Sequence, residues 1–338
     1  MKKYLSLLLA LCLTLSLAAC GGKTDTNADT GDSSQTQDNA STEAPAGEPV
    51  ELIVFAAASM TETMNQLKEM YEQNNPNVTV TYNFDSSGKL LTQIKEGADC
   101  DLFIYVGGES DRWVADALQE AVNKDMVVLN LLDVLGDRVE EEKIVEGMEA
   151  DEEKGEEDGP EYDEHVWLSL KNAETLCSAI SDALQQIDPA NKDTYAANAA
   201  AYTQKLAALD AEYQAAVDTA ARKTILFGDR FPFRYLADDY GLNYYAAFVG
   251  CSAETEASFE TVSFLARKVD ELNLPCVLTI EGAQHKIAET IVQNTAEKNQ
   301  RVLVMDSMQA TTAQDAANGT TYLSVMEQNL SVLNEALS

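Results

Sequence analysis

Residues 276–306 read CVLTIEGAQHKIAETIVQNTAEKNQRVLVMD, and the architecture follows from them. CVLTI (276–280) and RVLVM (301–305) are short apolar, β-branched runs that suit buried strands. The segment between them is helical in pattern, and two strands joined through a helix run parallel. The same alternation extends along the chain. LIVFA (52–56), VTVTYNF (78–84), DLFIYV (101–106), MVVLN (126–130), TILFG (224–228) and YYAAFVG (244–250) are further strands, most of them separated by helical stretches. Repeated strand–helix–strand units predict an α/β fold with largely parallel sheets.

The middle of the chain breaks this rhythm. From Ala190 to Ala221 there is no glycine and no strand, and Tyr202, Leu206, Leu209, Tyr213 and Val217 recur at spacings of three and four. That is one long amphipathic helix, preceded by a shorter one over 172–187. A closing helix is marked by Leu323, Met326, Leu330, Leu333 and Leu337. A stiff rod between two α/β sets predicts two lobes, over 50–189 and 222–338, with a linking helix at 190–221. About 290 residues are too many for one small core, which agrees with two lobes.

Lys2 and Lys3 precede an apolar run from Leu5 to Leu17, then LAAC ending at Cys20. This describes a secretory signal over 1–20, too short to span a bilayer. Residues 21–49 carry almost no apolar content and read as a flexible tether. The formal net charge is −34, from 23 Lys and Arg against 57 Asp and Glu. Such a charge excludes nucleic acid and adsorption to anionic lipid, and favours small cations. Cys100, Cys177, Cys251 and Cys276 are scattered singly, so a thiolate metal site is not expected, although one disulfide could form. Residues 140–164 are strongly acidic and read as a solvated loop, with a weak cation collector as the sharper alternative.

SSGKL at 86–90 resembles a phosphate loop, but Asn83 stands where its first glycine belongs and Leu90 replaces the Ser or Thr that would reach Mg²⁺. No GxSxG or HExxH is present, and no nucleophile–base pair can be assembled, so an enzyme is not expected. The carboxylates say more. Asp229, Glu281 and Asp306 follow three strands, and open α/β sheets bind ligands outside the carboxyl ends of their strands. Glu109 stands across from them in the other lobe. His165 follows the acidic loop, while His285 lies beside Lys286 in a helical segment as a weaker candidate. One His with two or more carboxylates suits zinc, or manganese where oxygen dominates.

CDLFIYVGGESDRWV, DEHVWLSLKNA, FGDRFPFRYLADDYGL, TIEGAQHKIAET and VLVMDSMQATT occur in this order over 100–338. Together they resemble the zinc/manganese substrate-binding proteins of ABC transporters. The resemblance implies a two-lobed periplasmic-binding-protein-like fold and Zn²⁺ or Mn²⁺ as the transported ligand. It implies an ABC permease as partner, and His165, Asp229 and Asp306 as ligands. Arg230 competes with Asp229 for its place, but a guanidinium cannot coordinate. Glu109 and Glu281 are weaker candidates. LAAC resembles a lipobox, which implies lipidation of Cys20, an extracytoplasmic place and no membrane contact beyond that anchor; the receptor is expected to be a monomer. The family's further His, upstream of the DLFIY strand, is absent, and Asp85 or Glu109 would have to replace it. Residues 51–103 instead resemble periplasmic molybdate-binding proteins. FAAAS and FDSSG then point to Ser59 and Ser87 as oxyanion donors, against a plain helix-capping role. Two alternatives therefore stand beside metal capture: a molybdate or tungstate receptor, or a chimeric lipoprotein that transports nothing.

Overall fold

All eight expected strands form. They are β1 (Val50–Ala57), β2 (Val78–Asp85), β3 (Leu102–Tyr105), β4 (Val127–Asn130), β5 (Thr224–Phe231), β6 (Asn243–Val249), β7 (Cys276–Ile280) and β8 (Arg301–Met305). The computed structural model describes residues 50–57, 68, 72, 78–85, 89, 92–93, 96–97, 100–149, 161–252, 256–282, 285–312, 315–316 and 318–338. The signal and tether at 1–49, Cys20, Ser59, Ser87, the centre of the acidic loop and the side chain of Asp85 lie outside them.

The strands make two four-stranded sheets, ordered β2-β1-β3-β4 and β6-β5-β7-β8, and every pairing is parallel. In each sheet the first strand lies inside, the second moves outward, and the third returns to its other side. That reversal opens a crevice at the carboxyl ends, between β1 and β3 and between β5 and β7. In the central strands Leu102, Phe103 and Ile104 of β3 and the whole of β7, its Thr279 included, are buried.

The described helices are α1 (Trp113–Glu120), α2 (Leu131–Leu135), α3 (Leu170–Ile187), α4 (Lys192–Thr219), α5 (Arg234–Tyr240), α6 (Phe259–Leu272), α7 (Lys286–Asn294) and α8 (Tyr322–Ala336). The long helix expected at 190–221 is α4, 28 residues, entered through a 3₁₀ turn at Pro189–Asn191. Proline suits such an entry because its missing N–H would be unbonded there in any case. Tyr195 of α4 joins the core under the first sheet, while Tyr202, Leu206, Leu209, Tyr213 and Val217 join the core under the second. One rigid element therefore serves both lobes. Helix α8 returns to it, and the buried Tyr213 hydroxyl donates to the Met326 carbonyl at 2.6 Å.

The acidic segment is more ordered at its ends than a solvated loop. Glu141 pairs antiparallel with Tyr162, and Glu149 pairs with Phe248 on β6. The Glu149 N–H donates to the Ala247 carbonyl at 3.0 Å. Strand β6 is a sheet edge, and an edge leaves main-chain groups in need of partners, which this segment supplies. Cys100, Cys177, Cys251 and Cys276 are all free thiols, so no disulfide forms among them. Among the described residues no helix is long and apolar enough to cross a membrane.

Candidate metal centre

His165 opens the 3₁₀ turn Val166–Leu168 and is 4% exposed. One oxygen of Asp163, itself 2% exposed, accepts both the His165 backbone N–H at 2.8 Å and Nδ1–H at 2.9 Å. With its proton on Nδ1, the ring keeps its lone pair on Nε2. A carboxylate that fixes the tautomer and orientation of an imidazole in this way is the usual support of a metal-ligating histidine. Asp163 is held in turn: its N–H donates to the Glu140 carbonyl, and its own carbonyl accepts the Tyr235 hydroxyl at 2.7 Å.

The other side of the imidazole rests on Gly250, just beyond β6. A Cβ there would stand 2.8 Å from His165 Cε1 and 2.9 Å from Nδ1, so only glycine lets the ring sit where it does. Trp167, two residues on, donates its Nε1–H to the Ser307 carbonyl at 3.0 Å, and its own carbonyl accepts the Tyr322 hydroxyl at 2.7 Å. These bonds hold the His165 turn against the loop that leaves β8, which carries Asp306.

Asp306 is half-buried and accepts the Met308 N–H at 2.7 Å, while Asn329 brackets its backbone with two bonds of 2.8 Å. Burial pushes its carboxyl above the usual carboxylate range; the Met308 N–H opposes this, and the nearby charges of Glu281 and Asp315 add to it. Glu281, after β7, is engaged along both oxygens. It accepts the Ser307 N–H and hydroxyl at 2.7 and 2.8 Å, and the Gln309 and Ala310 N–H groups at 3.0 and 3.2 Å. Its carboxylate organises the turn on which Asp306 sits.

Asp229 lies inside β5, since the strand runs on to Phe231 past the expected end at Gly228. The ladder to β6 is irregular between Phe227 and Arg230, and β5 meets β7 only at Phe227 and Leu278. Where the backbones part, the Asp229 side chain takes over. Its Oδ2 accepts the Thr279 hydroxyl at 2.6 Å and the Ile280 N–H at 3.4 Å. Arg230 points elsewhere, donating to the Ser252 carbonyl at 3.3 Å. In the first lobe Glu109 is exposed and paired with Arg112. Its neighbour Ser110 donates to Glu164 Oε1 at 2.9 Å.

Glu281 and Asp306 stand at strand exits, Asp229 inside β5 and His165 at a 3₁₀ turn, and among the described residues no three His, Cys, Asp or Glu side chains already form a metal-holding group. Negative charge nevertheless gathers next to His165. Desolvation, with Glu142, Asp163 and Glu164 close by, pushes the Cys251 thiol up even though the residue lies at the surface. Sequence reasoning missed three supporting residues: Asp163, Gly250 and Thr279. Asp163 carried a usable signal, being two residues before a histidine in DEHVW; Gly250 and Thr279 act across the fold and carried none.

A family model described as zinc-uptake complex component A, periplasmic, matches residues 91–336. A second, described as a bacterial extracellular solute-binding protein, matches residues 52–129. The zinc-binding lipoprotein AdcA of Streptococcus pneumoniae is 31% identical over 263 residues, covering 76% of this chain and 49% of that protein. The high-affinity zinc uptake system protein ZnuA of Bacillus subtilis is 27% identical over 246 residues, covering 71% and 72%. The crystal structure of the Zn(II)-bound ZnuA-like domain of Streptococcus pneumoniae AdcA superposes with a TM-score of 0.61 at 25% identity, covering 86% of this chain and 99% of that domain. The chain thus spans about half the length of the AdcA proteins it matches.

Proposed function

The chain belongs to the zinc-uptake complex component A family, and from that premise we propose that it is an extracytoplasmic receptor that captures Zn²⁺ for import. Such a family serves solute uptake rather than catalysis. The observation that carries the reading is the Asp163–His165 pair: a buried imidazole, its Nδ1–H taken by a buried carboxylate, with Nε2 left to coordinate. His165, Asp229 and Asp306 are the ligands in this reading, a nitrogen and oxygens of the kind zinc accepts. Glu109, ion-paired with Arg112, and Glu281, engaged by four donors around Ser307, are the weaker candidates.

Manganese would compete where oxygen ligands dominate. A membrane permease receives the ion, and lipidation at Cys20 tethers a monomeric receptor to the cell surface. Calorimetric titration of the purified chain with Zn²⁺ and Mn²⁺ tests the reading. Zinc should bind with one site, and His165→Ala should remove or greatly weaken it; a chain that takes up neither metal overturns the assignment.

A second reading draws on the match of 52–129 to the extracellular solute-binding model: a molybdate or tungstate site at Ser59 and Ser87. Heat released on adding molybdate, abolished in Ser87→Ala, would establish it.

A further inference from the structure

The chain holds two histidines, His165 and His285. His285 stands at the N-cap position of α7, half-buried, and makes no capping bond through its side chain. Its Nδ1 instead lies 3.2 Å from Thr279 Oγ1. Thr279 is fully buried, and its hydroxyl is 2.6 Å from Asp229 Oδ2. A hydroxyl has one proton to give, and the short contact to a carboxylate, which can only accept, takes it. Thr279 Oγ1 then faces His285 as an acceptor. The imidazole proton therefore sits on Nδ1 and the lone pair on Nε2. His165 is in the same state, with Asp163 in the acceptor's place. Both imidazoles of the protein are thus held by Nδ1 with Nε2 available, the arrangement that oriented metal ligands require.

The backbone keeps His285 at this position. Gly228, immediately before Asp229, lies under α7: a Cβ there would come 2.5 Å from Ala288 Cα and 2.8 Å from its backbone N. Ala288 is one turn into the helix from His285. This contact seats the first turn of α7 on β5 beside Asp229, where the β5–β7 crevice opens.

We propose that His285 is a zinc ligand, coordinating through Nε2 on the same edge of the crevice as Asp229. It supplies from the second lobe the further imidazole that this chain lacks upstream of β3. Thr279 is a positioning residue for both side chains. The assignment rests on the zinc-capture reading above and deepens it. Two imidazoles in the site make it a nitrogen-rich one, which suits zinc over manganese.

The test uses the full chain labelled with ¹⁵N and titrated with ZnCl₂, reading the ring nitrogens through their long-range proton couplings. Two imidazole systems are present, and His165→Ala and His285→Ala assign them. On zinc addition the Nε2 signals of both rings should move. His285→Ala should weaken zinc about tenfold or more, Thr279→Ala should weaken it less, and Thr279→Ser should restore it. Should His285→Ala fail to fold, His285→Gln takes its place, and the wild-type spectrum stands as an independent readout. If only His165 Nε2 moves, and loss of His285 leaves zinc affinity unchanged, the proposal is wrong while zinc capture survives. If neither ring responds and no zinc binds, zinc capture itself fails and the proposal falls with it.

Discussion

One oxygen of Asp163 serves two donors of the same histidine, so a change of one atom there should be felt at the metal. Asp163→Asn keeps the shape but removes the charge that makes Nε2 a better donor. Zinc affinity should fall about 10- to 100-fold with the fold retained, read by competition against a chromophoric chelator. Gly250→Ala tests the opposite wall. Its methyl would need the space of His165 Cε1, at 2.8 Å, so the ring must move and zinc binding should be lost while far-UV dichroism stays native. The Asp306 carboxyl is raised, chiefly by burial, and so takes up its proton at a higher pH than an ordinary aspartate. His165, Asp229 and Asp306 could be proposed as ligands from motif order and, for the aspartates, from the strands they adjoin. Their supports could not, because a threonine on β7 and a glycine after β6 have no local pattern that announces a partner far along the chain.

At the level of elements, sequence and structure agree where periodicity is strong. The eight apolar runs are all strands because short runs rich in β-branched and aromatic residues suit a pleated, at least half-buried surface. Helix α4 was legible for the same reason, its buried side chains repeating at three and four. The pinned ends of the acidic segment were not, since main-chain pairing to a sheet edge leaves no mark on composition. Helix α4 also gives a measurable expectation. Leu206 is fully buried in the larger core, and Leu206→Ala should cost about 2–5 kcal/mol of unfolding free energy by urea denaturation. The nearby Tyr213→Phe, which leaves the Met326 carbonyl without its hydroxyl partner, should cost about 1–3 kcal/mol.

Across the whole molecule, acidity and stability are linked through a few carboxylates. Burial raises Asp239 above its ordinary value, opposed by the Ser169 hydroxyl and Lys171, and Asp306 is raised likewise. Groups raised in the folded state bind more protons there than in the unfolded chain. Stability therefore declines as pH rises from the ordinary carboxylate value through the raised one. A net charge of −34 works in the same direction, because self-repulsion eases as carboxylates take up protons. Thermal melts should thus give a higher Tm at mildly acidic than at neutral pH, and Asp239→Asn should flatten that slope. Asp315 acts the other way: hydrogen bonds from Thr312 lower it, so its contribution disappears as pH falls through its folded value.

The return of α8 to the middle of the chain has a consequence for how such a protein is made. Residues 50–130 supply all four strands of the first sheet, but the core beneath it waits for Val166, Leu176, Ile180, Tyr195 and Tyr235. The linking helix and the His165 turn wait longer still, because Tyr213 awaits Met326 and Trp167 awaits Tyr322. The turn that carries His165 is therefore latched only when residues 322–336 have been delivered. On the proposed reading, a nascent chain should not hold its ion until it is nearly complete, and stray metal met earlier would find no finished site to occupy.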